Sequence, residues 1–160
     1  MDYYRKYHVK VKIIRIFNTY GPNMAANDGR VISNFIIQAL ANKPLTIFGN
    51  GKQTRSFQYV DDLIEAMMKM AHTSDNITGP INIGNPDERT IEDIAKYIIS
   101  QTQSKSTIVY TPHIIDDPYH RCPNINLAKQ LLFDWKPNVN LGEGINKTIE
   151  YFKQSLYEKN

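Results

Sequence analysis

Three arginines follow turns and are of the type that could grip a phosphorylated ligand: Arg30 after Asn27-Asp28-Gly29, Arg55 after Gly49-Asn50-Gly51, and Arg121 after Asp116-Asp117-Pro118. A planar guanidinium makes two parallel charge-assisted bonds to a phosphate or carboxylate, whereas a lysine acts as a point charge. The competing reading of any one arginine is a surface ion pair of small energetic weight. His113, Asp116, Asp117, His120 and Cys122 gather metal-capable types in one short stretch. Their spacing matches no tetrahedral zinc pattern, and Pro118 and Pro123 bracket the stretch, so a solvated loop without metal is expected. Cys122 with His120 two residues away makes a poor nucleophile pair, and no G-x-S-x-G elbow occurs. Gly49-Asn50-Gly51-Lys52-Gln53-Thr54 is neither G-x-G-x-x-G nor a Walker A loop and reads as a tight turn.

The elements that must position these residues follow from periodicity and punctuation. Residues 2–8 read as the polar end of a helix. Residues 9–17 alternate and then turn apolar, which predicts a strand half exposed at its start and buried at its end, stopped by Gly21-Pro22. Ile32, Phe35, Ile36, Ala39 and Leu40 predict an amphipathic helix over 31–42, ended by Pro44. Strands follow at 45–48 and 55–60. Asp61 reads as N-cap of a helix over 62–72, and Thr90 with Asp93 as a capping box before a helix over 91–101. Strands at 80–84 and 107–110 and helices at 125–133 and 143–157 complete the pattern. Alternating strands and helices give an α/β class. The strands at 11–17 and 80–84 are apolar on both faces, as in a covered parallel sheet, yet too few strands accompany them to build one.

The bulk numbers suit one soluble segment. The chain has 160 residues, 41% of them hydrophobic and 22% charged, with a formal net charge of +3. That charge is too small to imply nucleic acid and agrees with a small anionic ligand. The basic stretch from Arg5 to Lys12 reads as a solvated face. One cysteine excludes an internal disulfide and points to a reducing, cytoplasmic setting. No apolar run is long enough for a membrane span, and the amino terminus resembles no targeting peptide. Met67, Met68 and Met70 read as core or interface filler.

Taken together, several segments resemble one family. Arg15-Ile16-Phe17-Asn18-Thr19-Tyr20-Gly21-Pro22 is similar to the R-x-[FY]-N-x-[YF]-G-P strand end of extended short-chain dehydrogenases/reductases, the NAD-dependent epimerase/dehydratase family, that act on nucleotide sugars. Leu45 to Phe57 with Tyr59-Val60-Asp61-Asp62 resembles the family's G-x-G-x-Q-x-R-x-F-x-Y-V-x-D block. Asn82-Ile83-Gly84-Asn85-Pro86, Asp134-Trp135-Lys136-Pro137 and Tyr151-Phe152 match in order. The segments from Asn27 to Phe35 and from Asp116-Asp117-Pro118 to Arg121 resemble the UDP-glucuronate decarboxylases within it. Asn124 departs from that pattern, which has Asp there.

The resemblance implies a Rossmann-type fold with a small substrate-binding subdomain. Residues 9–22 and 55–86 would complete the NAD-domain sheet, and residues 23–54 and 87–160 would form the nucleotide-sugar subdomain of a single 1–160 segment. Asn18 would touch the diphospho-sugar, Arg55 would hold the diphosphate, Phe48 would lie beside the uracil, and Arg121 would contact the sugar near its acid group and assist there. Thr19 and Arg30 would help hold NAD. The family's acid–base pair is a Tyr with a Lys four residues on. Tyr3 and Tyr4 are followed at that spacing by Tyr7 and His8. The pair and the glycine loop are therefore expected before Met1, leaving a carboxy-terminal part inactive alone. The implied partners are a UDP-sugar and a second copy or full-length subunit, with no nucleic acid and no membrane. Another nucleotide-sugar epimerase or 4,6-dehydratase, or a non-catalytic binding fragment, are the alternatives.

Overall fold

The computed structural model describes residues 2–113 and 115–157. In chain order these form α1 (Asp2–Tyr7), β1 (Ile14–Ile16), β2 (Thr19–Tyr20), α2 (Val31–Leu40), β3 (Leu45–Phe48), β4 (Thr54–Ser56), β5 (Gln58–Tyr59) and α3 (Val60–Ala71). After them come β6 (Ile81–Ile83), β7 (Glu88–Thr90), α4 (Ile91–Thr102), β8 (Ile108–Thr111), β9 (His120–Arg121), α5 (Asn126–Leu131) and α6 (Leu141–Tyr157). Among the described residues no helix is long and apolar enough to cross a membrane.

The strands pair in small groups rather than in one wide sheet. Three parallel pairs join β1 to β6, β2 to β5 and β3 to β8, with Ile14 opposite Ile81, Thr19 opposite Gln58 and Leu45 opposite Ile108. In the fourth group β4 is central, antiparallel to β7 and parallel to β9. The extended run does end at Gly21-Pro22, but as two strands: β1 stops at Ile16 and β2 at Tyr20. Phe17 N–H still donates to Ile83 O at 2.9 Å, and one residue on, Asn18 O accepts from Gln58 N–H at 2.8 Å. Asn18 is thus the point where the chain leaves one partner strand for another. The segment is exposed at its start as expected, with Val9 46% exposed, but its end is not buried. Ile14 is half-buried, but Ile16 is 50% exposed, because β1 has β6 on only one side.

Two apolar cores hold these groups. The first joins Tyr20, the α2 stripe Ile32, Phe35, Ile36 and Ala39, then Leu45 and Ile47 of β3, with Ile94 and Ile98 of α4 and Ile145, Ile149 and Phe152 of α6. The second joins Leu63, Ala66 and Met70 of α3 with Ile81 and Ile83 of β6, and Ile125, Ala128, Leu132 and Trp135 around α5. Each fully buried large aliphatic or aromatic side chain here contributes roughly 1.5–3 kcal/mol. Of the methionine run, Met70 is core, whereas Met67 and Met68 are exposed.

Helix ends follow local chemistry with two corrections. Thr90 caps α4 as expected, its hydroxyl accepting from Asp93 N–H at 3.0 Å. Asp61 does not cap α3: that helix starts at Val60, after Tyr59, whose side chain makes no cap. Its acidic first turn works through the next residue. The Asp62 carboxylate accepts from Asn138 N–H at 2.9 Å and Val139 N–H at 3.2 Å, tying α3 to the approach of α6. Burial raises the Asp62 pKa, and those two backbone bonds pull it back only in part. α6 begins two residues before the expected 143, because Asn140 Oδ1 accepts from Glu143 N–H at 2.9 Å and starts the helix at Leu141. Lys12 closes the other end of α3. Its ammonium donates to Thr73 O, Thr73 Oγ1, Ser74 O and Ile77 O at 2.7–3.1 Å, placing a cation on carbonyls just past the helix C-terminus.

Candidate functional site

Arg55 lies in the middle strand of the three-stranded group, with 7% of its surface exposed. Its direct cross-strand neighbours are both arginines, Arg89 in β7 and Arg121 in β9. Like charges opposite one another destabilise a sheet, so the cations need counter-charges or a ligand. Arg89 has Asp87, 2.8 Å away at the surface. Arg55 has Asp117, reached by Nη2, while its Nη1 donates to Thr54 O at 2.7 Å and to Tyr119 O at 3.4 Å. Arg121 has no ion-pair or hydrogen-bond partner for its side chain among the described residues.

Arg30 occupies the N-cap position of α2. Its Nε sits 2.7 Å from Asp28 Oδ2, and its Nη1 reaches Thr19 O at 3.5 Å. Asp28 also accepts from the Ser33 hydroxyl and from Arg30 N–H. Partial burial alone would push the Asp28 carboxyl up. The bonds from Ser33 and from Arg30's backbone and guanidinium outweigh it and hold the group below its ordinary value. Arg30 is consequently fixed over the entrance to α2, beside β2.

One cavity of about 220 Å³ brings together Asn18, Thr19, Arg30, Arg55 and Arg121, with Asp117 and Tyr20 also on its wall. An adjoining cavity of about 460 Å³ is lined by Phe48, Thr46, Gln53 and Ile91. The two share Gly29, Val31, Arg55 and Asp117, so the Arg55–Asp117 pair stands between them. Phe48 ends β3 and is 47% exposed. Its carbonyl is held by Gln53 Nε2 at 2.6 Å, and the turn after it needs glycine at 49 and 51, where φ is +78° and +76°. The six residues expected from sequence therefore surround one continuous groove, at the point where β1 hands over to β2. A further cavity of about 340 Å³, walled by Asp87, Arg89, Asp93 and Tyr97, contains none of them.

The groove can grip a diphosphate and lay a flat base on an aromatic ring. Among the described residues it holds no ready acid–base pair. Tyr20 is on its wall, but the Tyr20 hydroxyl is buried against α6; burial first, and the neighbouring Tyr59 and Asp62 charges next, push its pKa far up. It stays protonated and donates to Leu141 O at 3.2 Å. The metal-capable types expected in a solvated loop have separate tasks. His120 Nδ1 lies 2.8 Å from Thr54 Oγ1, and Cys122 Sγ contacts Pro86 O. Asp117 departs from the solvated-loop expectation: it reaches the buried Arg55, 62 residues away in sequence. Sequence reasoning missed that role, and it missed Ser56 and Gln58, buried polar side chains without a hydrogen-bond partner among the described residues. Residues 55–59 are all buried, so alternation along the strand gave no sign of them.

The sequence and the fold both match known proteins. The family model described as the NAD dependent epimerase/dehydratase family matches residues 1–84. UDP-glucuronic acid decarboxylase 1 of Danio rerio is 49% identical over 154 residues, covering 96% of this chain and 36% of its own length. UDP-glucuronic acid decarboxylase 5 of Arabidopsis thaliana is 44% identical, covering 97% of this chain and 45% of its own. Among solved structures, an epimerase from Methanothermobacter thermautotrophicus superposes with a TM-score of 0.92 at 29% identity, over 99% of this chain and 48% of its own. The UDP-glucuronic acid 4-epimerase of Bacillus cereus, in complex with UDP-glucuronic acid and NAD, superposes with a TM-score of 0.87 at 33% identity, over 96% of this chain and 48% of its own. The chain spans about 35–45% of the length of these curated relatives. With a matched family model over more than half of its residues and a shared Rossmann-type α/β fold, this chain belongs to the NAD dependent epimerase/dehydratase family.

Proposed function

We propose that this chain forms the nucleotide-sugar-holding part of a UDP-glucuronate decarboxylase, which converts UDP-glucuronate to UDP-xylose and CO₂. The observation that carries the reading is the convergence of Asn18, Arg30, Arg55 and Arg121 on one cavity that continues past Arg55 to Phe48. Arg55 holds the diphosphate between the two cavities, and the exposed face of Phe48 takes the uracil, as aromatic side chains take bases elsewhere. Arg121, without a counter-ion of its own, meets the sugar's carboxylate. Asn18 contacts the diphospho-sugar from the end of β1, where parallel strands of such folds present ligands. The greater identity to the decarboxylases than to the solved epimerases favours this reaction over epimerisation.

Thr19 and Arg30 fit one polar edge of NAD, since Arg30 is already directed at Thr19 O. The glycine loop that cradles its pyrophosphate has no counterpart in this sequence. When bound, NAD supplies the hydride acceptor and donor of the redox step. This chain's residues orient the sugar for that step and hold its carboxylate while the C4 ketone, β to the acid, allows CO₂ to leave. Tyr-x-x-x-Lys does not occur at Tyr3 or Tyr4, so proton transfer falls to other groups. In this reading residues 9–22 and 55–86 adjoin the NAD-domain sheet, residues 23–54 and 87–160 form the sugar subdomain, and the chain works in the cytoplasm beside a second or full-length subunit.

Calorimetric titration with UDP, UDP-glucuronate and NAD tests this. Arg55→Ala should weaken UDP binding about tenfold or more, the effect of losing a charge-assisted bond. Absence of any UDP affinity in the unmodified chain would sink the reading. UDP affinity without turnover in the presence of NAD and a full-length relative would favour a non-catalytic binding fragment.

A further inference from the structure

We infer that Asp117 is a built-in competitor for the anion site: its carboxylate takes the place of a diphosphate on Arg55, and ligand binds by displacing it. This rests on the nucleotide-sugar reading and adds a residue that sets its charge selectivity. Arg55 is nine-tenths buried, and its Nη2 is satisfied only by Asp117 among the described residues. Asp117 itself is 34% exposed at its side chain and lines both cavities, so it stands in the path a ligand must take and can turn to water without disturbing either core. The residue before it, Asp116, has φ of +69°, in the left-handed region that few non-glycine residues adopt.

The charge balance around the smaller cavity makes the role specific. Arg30, Arg55 and Arg121 line it; Asp28 neutralises Arg30 and Asp117 neutralises Arg55. One uncompensated positive charge, on Arg121, remains. With Asp117 turned away there are two, one on Arg55 for the diphosphate and one on Arg121 for the sugar's carboxylate. A ligand with a single negative charge can meet Arg121 but gains nothing by exchanging for the carboxylate on Arg55. Asp117 thereby excludes weakly charged ligands and admits those bringing a diphosphate.

The test is titration of the full chain and of Asp117→Asn with inorganic pyrophosphate, UDP and uridine. Asp117→Asn should bind pyrophosphate and UDP about tenfold more tightly, the scale of one charge-assisted bond no longer broken on binding, and uridine no more tightly. In the unmodified protein, saturation with pyrophosphate should move the carboxyl carbon resonance of Asp117 as it leaves Arg55. That measurement stands even if the variant folds poorly. If UDP binds the unmodified chain while Asp117→Asn binds it equally or more weakly, or if the Asp117 resonance stays put, Asp117 is a fixed orienting group and the displacement idea falls, with the nucleotide-sugar reading intact. If neither protein binds pyrophosphate or UDP, both fall.

Discussion

Arg55 and Arg121 stand directly opposite one another on the parallel pair β4–β9, yet only Arg55 has a carboxylate to neutralise it. Cross-strand pairs of like charge cost a few tenths to about 1 kcal/mol. The cost persists because the second cation serves a ligand rather than the fold. Arg121→Gln should therefore raise stability by up to about 1 kcal/mol in urea unfolding while weakening binding of UDP-glucuronate more than that of UDP. A variant that loses stability would show that Arg121 supports the sheet instead.

Asp28 links the site to pH. Its carboxyl titrates below the ordinary 3.8, so its bonds to Ser33 and Arg30 contribute stability above that value. The contribution is lost as pH falls through the depressed folded value. Compared with Asp28→Asn, the unmodified chain should be more stable at neutral pH. The difference should start to shrink near pH 3.8 and vanish in stronger acid. A difference independent of pH would mean that the bonds to Asp28 do not need its charge.

Much of the fold was legible because apolar spacing and turn residues act locally. The α2 stripe at 32, 35, 36 and 39 and the strand at 45–48 fall where periodicity places them. Three short strands escaped: Thr19–Tyr20, Glu88–Thr90 and His120–Arg121. Each is two or three residues long and owes its extended form to a partner far along the chain, a cause with no local trace. The candidate site divides the same way. Arg30, Arg55 and Arg121 could be named from residue type and motif, and a shared cavity is where they lie. The Asp117 contact could not, since it depends on where β9 lands beside β4. Ile16 misled because apolar composition reports what a strand can bury, and not whether a cover is present.

Gly144 offers a packing test. A Cβ there would collide with the Tyr20 hydroxyl and come within 2.8 Å of Tyr59 Cδ2, both on buried rings. Helix propensity alone would make Gly144→Ala favourable by about 1 kcal/mol, but overpacking of this kind costs about 1–3 kcal/mol, so net destabilisation is expected. Tyr20→Phe removes the colliding oxygen and should recover part of the loss, read as a coupling in a double-mutant cycle of thermal unfolding. Strict additivity would place the strain elsewhere.

Ile64, Met67 and Met68 form an exposed apolar stripe on α3, at helical spacing, with Ile16 and Leu127 exposed elsewhere on the surface. Such surface drives association in water. Sedimentation should show concentration-dependent self-association of this chain, and Met68→Glu should reduce it. A monodisperse monomer at high concentration would contradict this.

The two cores are interleaved along the chain. The first takes residues between Tyr20 and Tyr59, the second between Leu63 and Ile83, the first again between Ile91 and Ile98, the second between Ile125 and Trp135, and the first once more from Ile145 to Phe152. No single cut divides the polypeptide into one piece per core. A nick in any loop between α2 and α6 leaves two pieces that each still need the other to bury their apolar faces. Helix α6 packs on strand β5, more than 80 residues earlier, so docking it closes one of the chain's longer loops, at a cost in chain entropy that grows slowly with loop length.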